Sequence, residues 1–367
     1  MKQDQQDTAK INSQLNNAPS PLSSAVGIDL GDRWSRYCVV NSVGEVVIED
    51  RVRTTPEGME RLFKEMPTTR VVIEAAAHSP WVSRQLEGYG HQVIVANPRK
   101  VRMIYESDRK NDRVDARMLA RLGRVDVSLL GPVHHRSASA QADLAVVRSR
   151  DTLVAARTRL VNAVRGIVKT TGHHLPRSTT AAFAHKILPL IPTELKPALL
   201  PLLRSIKALS EQIHRYDDRV EQLAETKYPQ TRLLQQVKGI GPLIALTYVL
   251  TLEDPKRFTH SRTVGSYLGL SPRQYESGKC APELGISKAG NNHLRWLLVQ
   301  AAQYILGPFA PDSSLRRWGL TLAGRGGKKS KRRAVVAVAR KLAVLLHRLW
   351  TTGDVYDPLH SLQIQAA

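Results

Sequence analysis

The sequence predicts an α/β domain at the N-terminus followed by an all-α remainder. Two patterns carry that prediction. Short β-branched apolar runs bounded by turn residues fill about residues 25–100, and the later ones alternate with segments of helical spacing. Beyond about residue 140, apolar residues recur at intervals of three and four, the helical period. With 367 residues, 42% of them hydrophobic, the chain can hold two or three domains around sizeable cores.

The elements follow in order. Residues 1–24 are rich in Gln, Asn, Ser and Pro and lack apolar periodicity, so they read as a disordered extension. AVGIDLGDRWSRYCVVN reads as strand, bend and strand. GEVVIEDRVRT makes a third strand after a turn at Ser42-Val43-Gly44. PEGMERLFKEM has helical spacing with acids in its first turn, and TRVVIEAA is a buried-strand run. SPWVSRQLEGYG starts a helix with Ser79 as N-cap and Pro80 at the first helical position. HQVIVANP is a further strand, and RKNDRVDARMLARLGR a basic amphipathic helix. Three antiparallel strands followed by alternating helix and strand make an α/β domain over 25–130.

Residues 131–228 read as helical. In 197–225, Leu199, Leu202, Ile206, Leu209, Ile213, Tyr216, Val220 and Leu223 form an a/d heptad seam. In 140–172, Arg150 and Arg157 interrupt a comparable stripe. The pair predicts a long helical hairpin with a coiled-coil element serving oligomerisation or spacing. An ordinary intramolecular helix pair is the alternative. Residues 229–352 form another helical unit, and 353–367 a C-terminal tail.

Charge narrows the function. Lys plus Arg number 54 against 32 Asp plus Glu, a net charge of +22. The pI is about 10.3. So large an excess points to a polyanionic partner, most often nucleic acid, and against an enzyme of neutral small molecules. Two cysteines, Cys38 and Cys280, exclude a disulfide scaffold and a Cys-rich zinc site. Mean hydropathy is −0.27, and no apolar run reaches membrane-spanning length. The N-terminus has no apolar signal segment. The expected setting is the cytoplasm, at the nucleoid, with no membrane partner.

Four carboxylates stand out. Asp29 in VGIDLG and Glu74 in VVIEAA lie within or at the ends of apolar strands, where an unpaired buried charge is expensive. Asp112 and Asp115 are three apart on one helix and share a face. Two strand acids and a helical pair can converge on a divalent metal, as in ribonuclease-H-like nucleases, and hard oxygen ligands select Mg²⁺ or Mn²⁺. A salt-bridged helix face is the alternative for Asp112 and Asp115, and a strand-end cap the alternative for Glu74. Asp32, Glu49, Asp50 and Asp108 read as solvent-facing. GIDLG also resembles the first-strand phosphate motif of sugar kinases and actin-like ATPases, but no later Gly-rich phosphate turn follows.

Two further features lie in the helical third. VKGIGPLIA fits a helix–hairpin–helix, in which Lys238, Gly239 and Gly241 shape a turn whose amides can meet a DNA phosphate. An ordinary interhelix turn is the alternative. Arg325, Lys328, Lys329, Lys331, Arg332 and Arg333 make a dense basic loop able to hold phosphates without sequence preference. Ser277 sits in a polar loop beside Lys279, and composition alone assigns it no role.

Taken together, GIDLG, VVIEAA and KNDRVDARMLA, followed by VKGIGPLIA, RFTHSRTVGSYLGLSPRQYESGK, ISKAGNNHLRWLLVQAA and AVARKLAV, resemble the insertion-sequence transposases of family 110. These carry a DEDD catalytic set and are also called bridge-RNA-guided serine recombinases. The resemblance covers nearly everything after residue 25. It implies a RuvC-like N-terminal domain, a coiled-coil middle and a helical transposase domain. The four family acids fall on Asp29, Glu74, Asp112 and Asp115, and the nucleophilic serine on Ser277, with Ser271 and Ser287 also in the motif region. The resemblance further implies Mg²⁺-dependent phosphodiester transfer on donor and target DNA. It also implies a structured guide RNA and a homo-oligomer, dimer or tetramer. Two rivals remain: a RuvC-like endonuclease or junction resolvase using water, and a non-enzymatic helix–hairpin–helix binding protein.

Overall fold

The computed structural model describes residues 24–101, 111–275, 284–327 and 329–359. The chain forms two compact units, the first ending at Ala138 and the second beginning at Ser139. The disordered extension expected over 1–24 lies outside the described residues except for Ser24, which is buried.

The first unit contains β1 (Ala25–Asp29), β2 (Trp34–Val40), β3 (Val46–Arg53), α1 (Pro56–Phe63), β4 (Arg70–Glu74), α2 (Ser79–Gly88), β5 (Gln92–Ala96) and α3 (Asp112–Val125). The strands form one sheet in the order β3-β2-β1-β4-β5. β1, β2 and β3 pair antiparallel, while β1–β4 and β4–β5 are parallel. This is the mixed sheet of a RuvC-like fold, as expected. The hairpin turn holds because Gly44 takes φ +91° and Asn41 Oδ1 accepts from the amides of Val43 and Glu45.

Strand alternation splits the sheet into two faces. Val26, Ile28, Tyr37, Val39, Val71 and Ile73 pack with Met59 and Phe63 of α1 and Val82 and Leu86 of α2. The opposite face belongs to α3, which packs Leu119 against Val72 and Ala116 and Ala120 against Ala25 and Cys38. α3 comes unusually close. A Cβ on Gly27 would lie 2.0 Å from the Ala116 carbonyl oxygen and 2.4 Å from the Ala120 amide nitrogen, and one on Gly123 2.2 Å from Val72 Cγ2.

Two helix starts differ from expectation. His78, not Ser79, occupies the cap position of α2. The Ser79 hydroxyl instead closes the bend after β4, donating to the Ala76 carbonyl and accepting from its amide. α3 starts at Asp112, where the Asn111 side chain accepts from the Arg113 amide and caps the helix.

The second unit is all helical: α4 (Ala138–Thr170), α5 (Phe183–Ile187), α6 (Lys196–Thr226), α7 (Thr231–Gln235), α8 (Pro242–Leu252), α9 (Arg262–Tyr267), α10 (Asn292–Leu306), α11 (Ser314–Ala323) and α12 (Ser330–Thr352), joined by short 3₁₀ turns. α4 and α6 run antiparallel. Val161, Val164 and Val168 cluster with Leu199, Leu203 and Ile206, and Ala140, Leu144 and Val147 with Val220, Leu223 and Ala224. Between these clusters the contact is polar, with Arg150 Nε on Asp217 Oδ1 at 2.5 Å and Arg157 on Ser210 at 3.2 Å. The heptad column Leu199, Ile206, Ile213 and Val220 is buried, while Leu202, Leu209 and Tyr216 are half-buried. The hairpin is therefore an intramolecular pair that leaves part of its seam open. A separate core joins α8, α10 and α12 through Val249, Leu252, Leu298, Ala302, Val338 and Leu342. Inside it the Tyr248 hydroxyl donates to the Ala343 carbonyl at 2.6 Å. Among the described residues no helix is long and apolar enough to cross a membrane.

Candidate active site

Asp29 is the last residue of β1 and Glu74 the last of β4. Ile28 pairs with Ile73 in the parallel register, so the two acids end neighbouring strands side by side. Both are half-buried. Asp29 lies two residues beyond Gly27, and so shares the face that α3 covers. The far end of α3 is tied to the opposite end of the sheet. Arg70 at the start of β4 donates to the Gly123 carbonyl at 2.7 Å, and Arg124 donates to the Ser42 carbonyl at 3.1 Å. The first turn of α3 therefore lies toward the carboxylate end, bringing Asp112, exposed, and Asp115, buried, to the same corner. Carboxylates in a first turn are favoured by the helix dipole.

Among the described residues, no group of three or more His, Cys, Asp or Glu side chains is gathered closely enough to hold a metal ion. Asp29 and Glu74 stand side by side and the first turn of α3 lies toward their end of the sheet, but the four acids are not closed around one point. Their donor chemistry, carboxylate oxygen throughout, fits Mg²⁺ or Mn²⁺.

Neighbouring acids behave differently from one another. Asp32 and Asp50 are exposed as expected, while Asp108 lies outside the described residues. Glu49 does not face solvent. Its side chain is 13% exposed and takes a two-pronged contact from Arg117 of α3, at 2.5 and 2.8 Å. That guanidinium holds the Glu49 carboxyl below the usual carboxylate range. Beside it, burial pushes the Cys38 thiol up to about 12, so this cysteine is no nucleophile. Sequence reasoning passed over His78. Its Nε2 lies 3.7 Å from Asp32 Oδ1, and its Nδ1 accepts from Trp81 Nε1 at 3.2 Å, on the loops that follow β1 and β4. Its place four residues after Glu74 was the available signal.

The second unit holds the remaining residues. Lys238 is exposed on the turn between α7 and α8. Gly239 has φ +97°, and a Cβ there would meet Tyr304 Cδ1 at 2.8 Å, so glycine is required on two counts. Gly241 caps α8 ahead of Pro242. The basic cluster is not wholly a loop. Arg325 and Lys329 are in the connection, but α12 begins at Ser330, so Lys331, Arg332 and Arg333 lie exposed on its first turn. The helix forms this early because AVVAVARKLAV supplies its apolar face from Ala334 onward. Cations at a helix N-terminus oppose the helix dipole, so this cluster works against the stability of the isolated helix. Arg325, Lys329 and Arg333 border a cavity of about 580 Å³.

Ser277, Lys279 and Lys328 lie outside the described residues. The chain on either side of Ser277 is paired, with Arg273 donating to the Gly285 carbonyl at 3.0 Å and Ser287 to that of Ser271 at 2.9 Å. The other two serines of the motif are engaged locally: Ser271 Oγ lies 2.8 Å from Ser266 Oγ, and Ser287 Oγ accepts from the Ala289 amide.

Comparison with known proteins matches both regions. Residues 26–173 fit a family model described as Transposase, and residues 231–316 one described as Transposase IS116/IS110/IS902 family. The transposase for insertion sequence element IS1328 of Yersinia enterocolitica is 30% identical over 346 residues, covering 92% of this chain and 99% of that protein. The transposase for insertion sequence element IS1111A of Coxiella burnetii is 28% identical over 341 residues, 90% of each chain. The first matched segment contains the acid corner and the second the Gly239 turn, and with relatives aligned along nearly their whole length the chain belongs to the IS110 family of insertion-sequence transposases.

Proposed function

We propose that this transposase moves its element by phosphodiester transfer in which Asp29, Glu74, Asp112 and Asp115 form the acid set and Ser277 is the nucleophile. One observation carries the reading: Asp29 and Glu74 end adjacent parallel strands on the face to which α3 brings Asp112 and Asp115. These four residues would hold Mg²⁺ or Mn²⁺, which when bound neutralises charge developing on the reacting phosphate. The serine oxygen forms a bond to phosphorus while the bond to the departing sugar oxygen breaks, leaving a covalent protein–DNA link. A hydroxyl is a weak nucleophile and needs activation, so Ser277 acts only when brought to the acids, in cis or from another protomer.

The finer parts of the reading follow. The net charge of +22 suits donor and target DNA together with a structured guide RNA. The Gly239 turn acts as the hairpin of a helix–hairpin–helix, and Lys238, Lys279, Arg325, Lys328, Lys329, Lys331, Arg332 and Arg333 contact phosphates. The half-buried seam of α6 provides a coiled-coil contact in a dimer or tetramer at the nucleoid.

Asp29→Asn keeps volume and removes a charge. It should lower strand cleavage by about 1,000-fold or more while DNA binding persists. Ser277→Ala should abolish recombination and the covalent adduct. Cleavage undiminished in Asp29→Asn overturns the acid set. Cleavage retained in Ser277→Ala but lost in Asp29→Asn identifies water, not the serine, as the attacking group.

A further inference from the structure

One row of opposed residues crosses the carboxylate end of the sheet. Arg51 of β3 pairs with Arg36 of β2, Arg36 pairs with Asp29 of β1, and Glu74 of β4 lies beside Asp29. Cross-strand partners project to the same face, so all four side chains stand on the α3 side. The charge changes sign halfway, with two acids toward β4 and two arginines toward the edge strand β3. The next row outward pairs Trp34 with Arg53. Because β2 is antiparallel to β1, that row lies past the end of β1, beyond the acids.

Most of this strip is not buried in the core. The other face of the same strands buries Tyr37, Val39, Ile48 and Val52 against α1 and α2. On the α3 side, Arg51 and Arg53 are exposed and Trp34 is 42% exposed. Their guanidinium carbons lie 4.6 and 5.1 Å from the indole centroid. Arg36 faces the acid Asp29 on one side and Arg51 on the other, and its pairing with Arg51 is a like-charge one, which costs stability in a sheet. An anion laid along the strip relieves that cost. A partly open indole with two arginines against it adds a stacking surface with phosphate-binding groups beside it.

We propose that this strip seats one nucleic-acid strand as it leaves the acid corner, with phosphates on Arg36, Arg51 and Arg53 and a base against Trp34. The direction given to the strand rests on the acid set proposed above. The occupant is a single strand because bases inside a duplex are already stacked and offer no face to the indole.

The test measures affinity of the full chain for short single strands of DNA, single strands of RNA and duplex DNA across a salt series. Trp34→Ala should bind single strands about 5- to 100-fold more weakly, with the salt slope unchanged and Trp34→Phe restoring most of the loss. Arg51→Gln with Arg53→Gln, both exposed, should flatten the single-strand log–log salt slope by about 1.4, two phosphates at about 0.7 each. Duplex affinity should change less in every variant. A larger loss for DNA than for RNA, or the reverse, names the strand that occupies the strip. Unchanged single-strand affinity and slope, or an equal loss on duplex, overturns the proposal. Asp29→Asn assayed alongside separates the two readings. An inactive Asp29→Asn with silent strip variants overturns the strip alone. An active Asp29→Asn with weakened strip variants overturns the acid set alone.

Discussion

The sheet unit and the helical unit meet the same packing requirement by opposite means. In the sheet unit, α3 lies on β1 backbone to backbone, with the Ala116 carbonyl where any side chain at position 27 would stand. In the hairpin of the helical unit, α4 and α6 meet through long side chains, apolar at both ends and polar between them. The first arrangement has almost no room to adjust, and it is the one that sets the position of Asp115 relative to Asp29. The second can repack locally. A unit whose acids sit on a strand and on the helix pressed against it inherits its precision from that contact.

Gly27→Val strikes the contact directly. The new methyl groups would overlap backbone atoms that cannot rotate away, so a loss on the order of 4 kcal/mol or more is expected. Denaturant unfolding and circular dichroism would read it as loss of the native sheet. Native stability in Gly27→Val would mean that α3 can lift off. In the hairpin, Leu199→Ala leaves a cavity between α4 and α6, for about 3 kcal/mol, and the helix content of the folded state should survive.

A buried histidine adds a pH-dependent test of the sheet unit. His91 of the sheet unit accepts from the Thr69 amide at Nδ1, 3.3 Å, and donates from Nε2 to the Phe63 carbonyl, 2.9 Å. An amide cannot turn round to accept, and burial pushes His91 below the usual histidine range. The folded chain therefore keeps it neutral where the unfolded chain takes up a proton. Its contribution is complete above about pH 6.5 and is lost as pH falls from there through the lower folded-state value. Thermal unfolding should shift down between about pH 7.5 and about pH 5.5, and the shift should shrink in His91→Gln. An unaltered shift in His91→Gln would assign it to other groups.

The smallest expected effect is a gain. Arg157 lies in the polar middle of the hairpin, where its Nε is buried without a hydrogen bond. Arg157→Met removes that cost and keeps the length of the side chain, for a gain of about 0.5–1 kcal/mol in denaturant unfolding. A loss of stability would show that the Ser210 contact outweighs the buried nitrogen.

How much was legible follows from where each signal lives. The five strands and α3 were readable because their periodicity is local, and the acids were readable as charges out of place in or next to apolar strands. The start of α12 was misjudged because its first turn is polar and its apolar face begins only at Ala334. Glu49 was misjudged because its partner Arg117 is 68 residues away. The row from Arg51 to Glu74 was illegible for the same reason: it exists only once four strands are in register.

The sequence by itself determined the class of partner, through an excess of positive charge that no arrangement can hide, and the location of the main strands and helices, through periods of two and of three to four. Only the tertiary structure decided which acids share a corner, which arginines stand beside them and which seam the hairpin buries. Charge and period are sums and spacings along one chain. Proximity between strands 45 residues apart, as Ala25 and Arg70 are, depends on register and on the two glycines that let α3 settle onto the sheet.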